Sequence, residues 1–203
     1  MKNSDLYKNA IADARVAETE EIFPLYELKD GENLLVSWNA FPGEYPEGEF
    51  YEVKEYPQMW CVAYEELCQW FQENNEGVTD WDERFRQLLG LPERAWYSHF
   101  TAFMVKPEEV IRPAYQPDPR KQITEEMLDG SSLGKHEEWF RHNEHWSFRE
   151  AEWPWTRLGY TYDWAEDRER GLCEFLILPG TEVKVEWTVT TGELIDKLSK
   201  ETI

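Results

Sequence analysis

Five of the eleven tryptophans and two of the four histidines of this 203-residue chain fall within residues 139–164. Two arrangements accommodate such a density. Large rigid rings with one polar atom each either pack into a core, where that atom must find a partner, or wall a site that grips a ligand. The second half of the stretch, WPWTRLGYTYDW at residues 153–164, sets an arginine and an aspartate among the rings. A ligand wall is therefore expected from Trp153, Trp155, Arg157, Tyr160, Tyr162 and Asp163. Trp139 and Trp146 share a helical period with Phe140 and Asn143 and are expected on the buried side of a helix.

The rest of the chain mixes helical and strand periods. A polar helix with Ser4 as its cap is expected over residues 4–20. Strands at 22–28 and 34–38 flank Asp30-Gly31, a favoured hairpin step, and are expected to pair with each other. Pro42, Gly43, Pro46, Gly48 and Pro57 make residues 39–58 a long surface loop with one short strand near 50–53, and loops of that length often border sites. A buried strand at 59–63 runs into a helix with Tyr64, Leu67, Trp70 and Phe71 on one face. Asp80, with Glu83 three residues later, opens a second helix, and Gly90 followed by Pro92 closes it.

A strand at 97–105 ends before Pro107, and the prolines at 113, 117 and 119 impose extended, irregular chain. A helical turn at 125–128, a hinge or lobe boundary at 130–134 and a helix over 135–149 follow. The apolar run at 172–178 and the alternating Val183, Val185, Trp187 and Val189 read as two paired strands about Pro179-Gly180, with a last helix from Thr191. The expected fold is α+β: an antiparallel or mixed sheet flanked by three to five helices around an aromatic-rich core. Residues 1–203 fit a single domain, long enough to bury a core without disulfides or a structural metal.

The net charge is −21, and the acids are spread along the chain with no acidic tail. Such a coat repels nucleic acid and anionic membranes, whose recognition needs clustered lysine and arginine, so neither is an expected partner; a basic protein is. No run approaches the ~18 apolar residues that a membrane helix needs. The first twenty residues show no secretory signal, and Cys61, Cys68 and Cys173 lack CxxC spacing, so a reducing, cytoplasmic setting is expected.

His136, His142 and His145 are interleaved with Glu137, Glu138 and Glu144, and Glu138, His142 and His145 would line one helix face. That set is neither HExxH nor a cysteine-containing finger, so surface and capping roles are expected, with no metal and no cofactor. In an enzyme, His142 or His145 would be the base, Glu174 the acid and Arg157 an anion clamp. Glu174 interrupts an otherwise apolar strand, which places it either at an exposed strand end or in a polar pocket.

The order His99, Tyr160 or Tyr162, Glu174 is similar to the histidine, tyrosine, glutamate order of some ADP-ribosyltransferases, in which those residues hold a nicotinamide dinucleotide. Phe100 stands where those enzymes carry a glycine, and the tyrosine-to-glutamate interval is short. GxSxG, GxxxxGKS/T and GxGxxG are all absent, which removes the commonest hydrolase and nucleotide-binding signatures. The leading expectation is a non-enzymatic binding or protein-interaction protein. The alternative is an enzyme or small-ligand binder with a pocket walled by residues 153–164 and a carboxylate at Glu174.

Overall fold

Val36 and Trp38 alternate with Leu35, Ser37 and Asn39 along β1 (Asn33–Asn39), and this two-residue period sets the register of the sheet built around it. The structure is a computed structural model that describes residues 2–124, 127–128 and 134–201. Its chain sorts into two units that interleave along the sequence. A loop-rich unit takes Met1–Glu27, Glu83–Ala95 and Arg112–Cys173, and a sheet unit takes Leu28–Asp82, Trp96–Ile111 and Glu174–Ile203. The fold is α+β, with an antiparallel sheet, helices and clustered aromatics. Of the expected hinge at 130–134, residues 130–133 lie outside the described residues, as do 125–126 of the expected helical turn.

The strands after β1 are β2 (Phe50–Glu52), β3 (Met59–Ala63), β4 (His99–Val105), β5 (Val110–Ile111), β6 (Tyr160–Tyr162), β7 (Arg170–Ile177) and β8 (Glu182–Thr190). The helices are α1 (Asn3–Asp13), α2 (Tyr64–Asn74), α3 (Trp81–Leu88), α4 (Lys135–His145) and α5 (Thr191–Leu198). In the sheet unit the order is β2-β8-β4-β1-β3-β7-β5, antiparallel throughout. One face carries Leu35, Ser37, Asn39, Thr101 and Phe103. The other carries Val36, Trp38, Phe100, Ala102 and Trp187, and there Tyr64 of α2 and Lys197 of α5 meet the Trp187 ring.

β7 and β8 do not form the expected pair. Four antiparallel steps separate them, so they run in the same sense along the sheet. Yet they are joined by a tight turn, closed by the Thr181 N–H to the Leu178 carbonyl at 3.2 Å with Gly180 at φ 81°. The turn therefore links two strands that are not neighbours in the sheet, instead of closing a hairpin. Residues 22–28 are not a strand either, because both sides of β1 are already taken by β3 and β4. Their backbone is bonded otherwise: Leu25 N–H to the Gln122 carbonyl at 2.7 Å and Tyr26 N–H to the Cys173 sulfur at 3.1 Å.

Two helix expectations also change. α1 ends at Asp13, and Lys2 rather than Ser4 occupies its N-cap position. α4 passes into a π-helical turn at Trp146–Ala151. The wider winding advances the inward position from 146 to 147, so Ser147 and Phe148 are buried while Trp146, expected inside, is 44% exposed.

The loop-rich unit packs α1 on the aromatic segment, with Tyr7, Ala10, Ala14, Phe148, Tyr162 and Trp164 in one cluster. Glycines mark its closest approaches. A Cβ on Gly159, which has φ 91°, would lie 2.6 Å from Arg112 Cδ and 3.2 Å from Leu25 Cδ1. A Cβ on Gly171 would overlap Thr161 Oγ1 and the Leu88 carbonyl. Gly171→Ala is therefore expected to destabilise the fold by about 2–3 kcal/mol, as overpacking against backbone does. Gly43→Ala, with open space around the added carbon, should stay within about 0.5 kcal/mol of the parent. Urea unfolding of the two variants checks the contrast.

Candidate functional site

The segment expected to wall a ligand fills a core. Residues 154–160 and 162–164 are buried, and among the expected wall residues only Trp153 is partly exposed. The reason is visible in their hydrogen bonds. Most of the loop-rich unit is irregular backbone, whose buried carbonyls have no ladder partner and must be met by side-chain donors. Trp155 Nε1 donates to the Pro113 carbonyl at 3.1 Å. Trp164 Nε1 bridges the Arg86 and Leu91 carbonyls at 3.1 and 2.9 Å, and the Tyr160 hydroxyl donates to the Glu21 carbonyl at 2.8 Å. Arg112, fully buried, reaches the carbonyls of Tyr26, Pro119, Lys121 and Gly159 at 2.7–3.4 Å.

The charged members of the segment are engaged in the same way. Arg157 adopts φ 64°, an uncommon conformation for a residue with a Cβ, and its side chain is held at several points. Nη2 donates to the Ala14 carbonyl at 2.8 Å and so serves the end of α1, while Nη1 pairs with Glu144 Oε1 at 2.8 Å. Its guanidinium lies over the Phe148 and Tyr115 rings, 5.2 and 5.7 Å from their centroids. Asp163 forms a two-pronged pair with Arg84, at 2.9 Å from Nη1 to Oδ1 and 2.5 Å from Nη2 to Oδ2. Tyr162 donates to Asp13 Oδ2 at 2.9 Å. Burial, chiefly, raises the phenol pKa of both Tyr160 and Tyr162, so both are neutral donors at physiological pH.

Of the proposed acid–base residues, His142 and His145 belong to the loop-rich unit and Glu174 to the sheet unit. His142 and His145 are exposed on α4, and His145 Nε2 lies 3.6 Å from Glu150 Oε1. Glu174 is buried in the interior of β7 opposite Val62, so it is not at an exposed strand end. His99 and Glu174 belong to the same sheet but to opposite faces, since His99 aligns with Asn39 and Glu174 with Val62, which aligns with Val36. That placement separates two of the three residues in the transferase-like order. Among the described residues, no three histidine, cysteine, aspartate or glutamate side chains are grouped to hold a metal ion. The three cysteines are free and buried, and burial pushes the Cys68 thiol up to about 11, away from nucleophilic use near neutral pH.

Two surface features among the described residues bear on function. In the loop-rich unit, Glu21, Phe23, Tyr160, Asp167, Arg168, Glu169 and Arg170 border a hollow of about 280 Å³. The Arg170 guanidinium lies over the Phe23 ring, 5.0 Å from its centroid, and donates to the Pro24 carbonyl at 2.6 Å. Tyr160 is the one residue of the expected wall on this border.

The sheet unit carries the second feature. β2 is at one end of the strand order, with Phe50 65% exposed. Tyr56, Phe41 and Trp96 are exposed as well, the last two packed edge to face at 5.8 Å. Glu44, Glu47, Glu49, Glu52 and Glu55 are all exposed along the same stretch of chain. Lys54 is held by Glu44 at 3.2 Å, its ammonium 5.8 Å from the Tyr51 centroid. Large apolar groups kept in water beside fixed negative charge suit the capture of an amphipathic, cationic partner. These residues lie in or beside the expected loop at 39–58, from which no site residue was expected; the aromatics among its glutamates were the available signal.

Compared with models of known protein families, with curated proteins and with solved structures, the chain matches none. No helix among the described residues is long and apolar enough to cross a membrane.

His136 gives the loop-rich unit a pH response. Its Nε2 donates to the Ala114 carbonyl at 3.0 Å, its ring stacks on Trp139, and Nδ1 is buried with no partner among the described residues. Burial lowers its pKa below 6.5, against the opposing effect of the Ala114 bond. The unfolded chain therefore takes up this proton first, so the contribution is fully present above about pH 6.5 and declines as pH falls toward the folded-state pKa. His136→Gln, which keeps a donor for Ala114, should flatten the pH 7.5 to 5.5 difference in urea midpoint relative to the parent. An unchanged difference would sink the assignment.

Proposed function

We propose that this chain is a protein-interaction module that takes a basic partner on the acidic, aromatic surface of its sheet unit. The observation that carries the reading is the exposure of Phe41, Phe50, Tyr56 and Trp96 amid five exposed glutamates at 44, 47, 49, 52 and 55. Charge bookkeeping supports it. The buried charged side chains among the described residues are Arg112, Arg157, Asp163 and Glu174, two cations and two anions, so the negative excess of the described residues is carried outside the core. Such negative potential steers a cationic protein to the surface and repels phosphate-bearing polymers. The rings then supply the desolvated contacts that charge alone does not. A cytoplasmic setting fits three free, buried thiols.

The test is capture from the lysate of the source cells at physiological salt, with the parent protein and a variant carrying glutamine at 44, 47, 49, 52 and 55. A basic protein recovered by the parent and lost with the variant is the expected result, with retention falling steeply as salt is raised. Equal recovery by both proteins, or recovery of none by the parent, overturns the reading.

A further inference from the structure

β2 pairs with β8 on one side, and the hydrogen-bond pattern shows what it offers on the other. Val53 N–H donates to the Thr181 carbonyl at 2.9 Å, the Val53 carbonyl accepts from Gly180 N–H at 2.8 Å, and the Glu49 carbonyl accepts from Val185 N–H at 2.9 Å. Backbone groups of successive residues in a strand point to alternate sides, so residues 49, 51 and 53 face β8 while Phe50 and Glu52 face away from it. Both are exposed, and β2 ends the strand order. Two N–H groups and two carbonyls are thus presented in strand geometry at an open edge.

The side chains define what fits there. Phe50 and Glu52 point to the same face of the sheet, aligned with Lys184 and Glu182 of β8. Lys184 is already paired with Glu186 at 2.6 Å. A strand added beside β2 would therefore meet an exposed aromatic ring and, two residues on, a carboxylate with Glu182 across from it. A second copy of this chain would bring its own Glu52 to that edge and a net charge of −21 with it, which the charge disfavours.

We propose that β2 is a docking edge for an extended, cationic segment of a partner protein, added antiparallel so that its residues read basic, any, apolar against Glu52, Tyr51 and Phe50. This rests on the interaction reading above and adds its mode. Main-chain bonds to Phe50 and Glu52 supply affinity, the Glu52 and Glu182 carboxylates select lysine or arginine, and the Phe50 ring selects an apolar side chain two positions later.

The probe is a short synthetic peptide alternating lysine with valine or phenylalanine, in two forms of equal charge. One is methylated on the backbone nitrogens that would face β2, the other on the intervening nitrogens. The second form should bind, and the first should bind at least about tenfold more weakly, the loss expected for a few main-chain bonds. In the parent protein, the amide exchange of Phe50 and Glu52 should slow on addition of the binding form. Phe50→Pro removes an outward N–H and should weaken binding beyond the loss seen with Phe50→Ala. Should Phe50→Pro fail to fold, the exchange and methylation readouts on the parent decide the matter.

Equal binding of both methylated forms, with no protection of Phe50 and Glu52, overturns strand addition and leaves the interaction reading standing. Failure of the parent to bind either form or any basic protein overturns both. Self-association of the parent with Phe50 and Glu52 protected would assign the edge to a second copy and overturn the cationic occupant.

Discussion

Buried backbone outside helices and strands still needs its hydrogen bonds, and the loop-rich unit depends on meeting that need with side chains. Arg112 alone reaches four carbonyls from three separate stretches of chain. Arg157, Trp155, Trp164, Tyr160 and Tyr7 serve others, the last reaching the Glu152 carbonyl at 3.2 Å. Each of these side chains combines a large apolar body with a donor at its rim, so one residue both fills volume and satisfies a carbonyl. A leucine in any of these places would fill the space and leave a carbonyl unpaired, at about 1–3 kcal/mol for each.

This accounts for the composition of residues 153–164. The Trp, Tyr and Arg residues that resemble a binding wall are the same residue types that an irregular core requires. Among the described residues the buried cations and anions balance, so the negative excess of those residues lies outside the core rather than in its packing.

Local signals were legible in the chain where a single element could decide its own structure. The face shared by Leu67 and Phe71, the breaks at Gly90 and Pro107 and the strand at 59–63 all correspond to what is found, because period and punctuation act within one turn or one strand. The pairings were not legible in the same way. Asp30-Gly31 favours a hairpin, but β1 had two better partners in β3 and β4. Pro179-Gly180 marks a sharp turn, yet whether it closes a hairpin depends on the strand order, which sets three strands between its arms. The irregular, exposed character of much of residues 39–58 was readable from their prolines and glycines. The open backbone of Phe50 and Glu52 was not, since it follows from β2 ending the strand order.

The sequence by itself determined the class of fold and the net negative charge of the chain. These depend on composition and on the helix and strand periods, which one chain segment displays alone. Only the tertiary structure decided that residues 154–160 and 162–164 are buried, that His99 and Glu174 occupy opposite faces, and that the exposed Phe50 lies on the strand that ends the sheet order. A tryptophan beside an arginine reads the same whether its N–H meets a ligand or a carbonyl of a distant loop. The difference lies in which chain passes in front of it, and strand order and loop packing set that across long sequence separations.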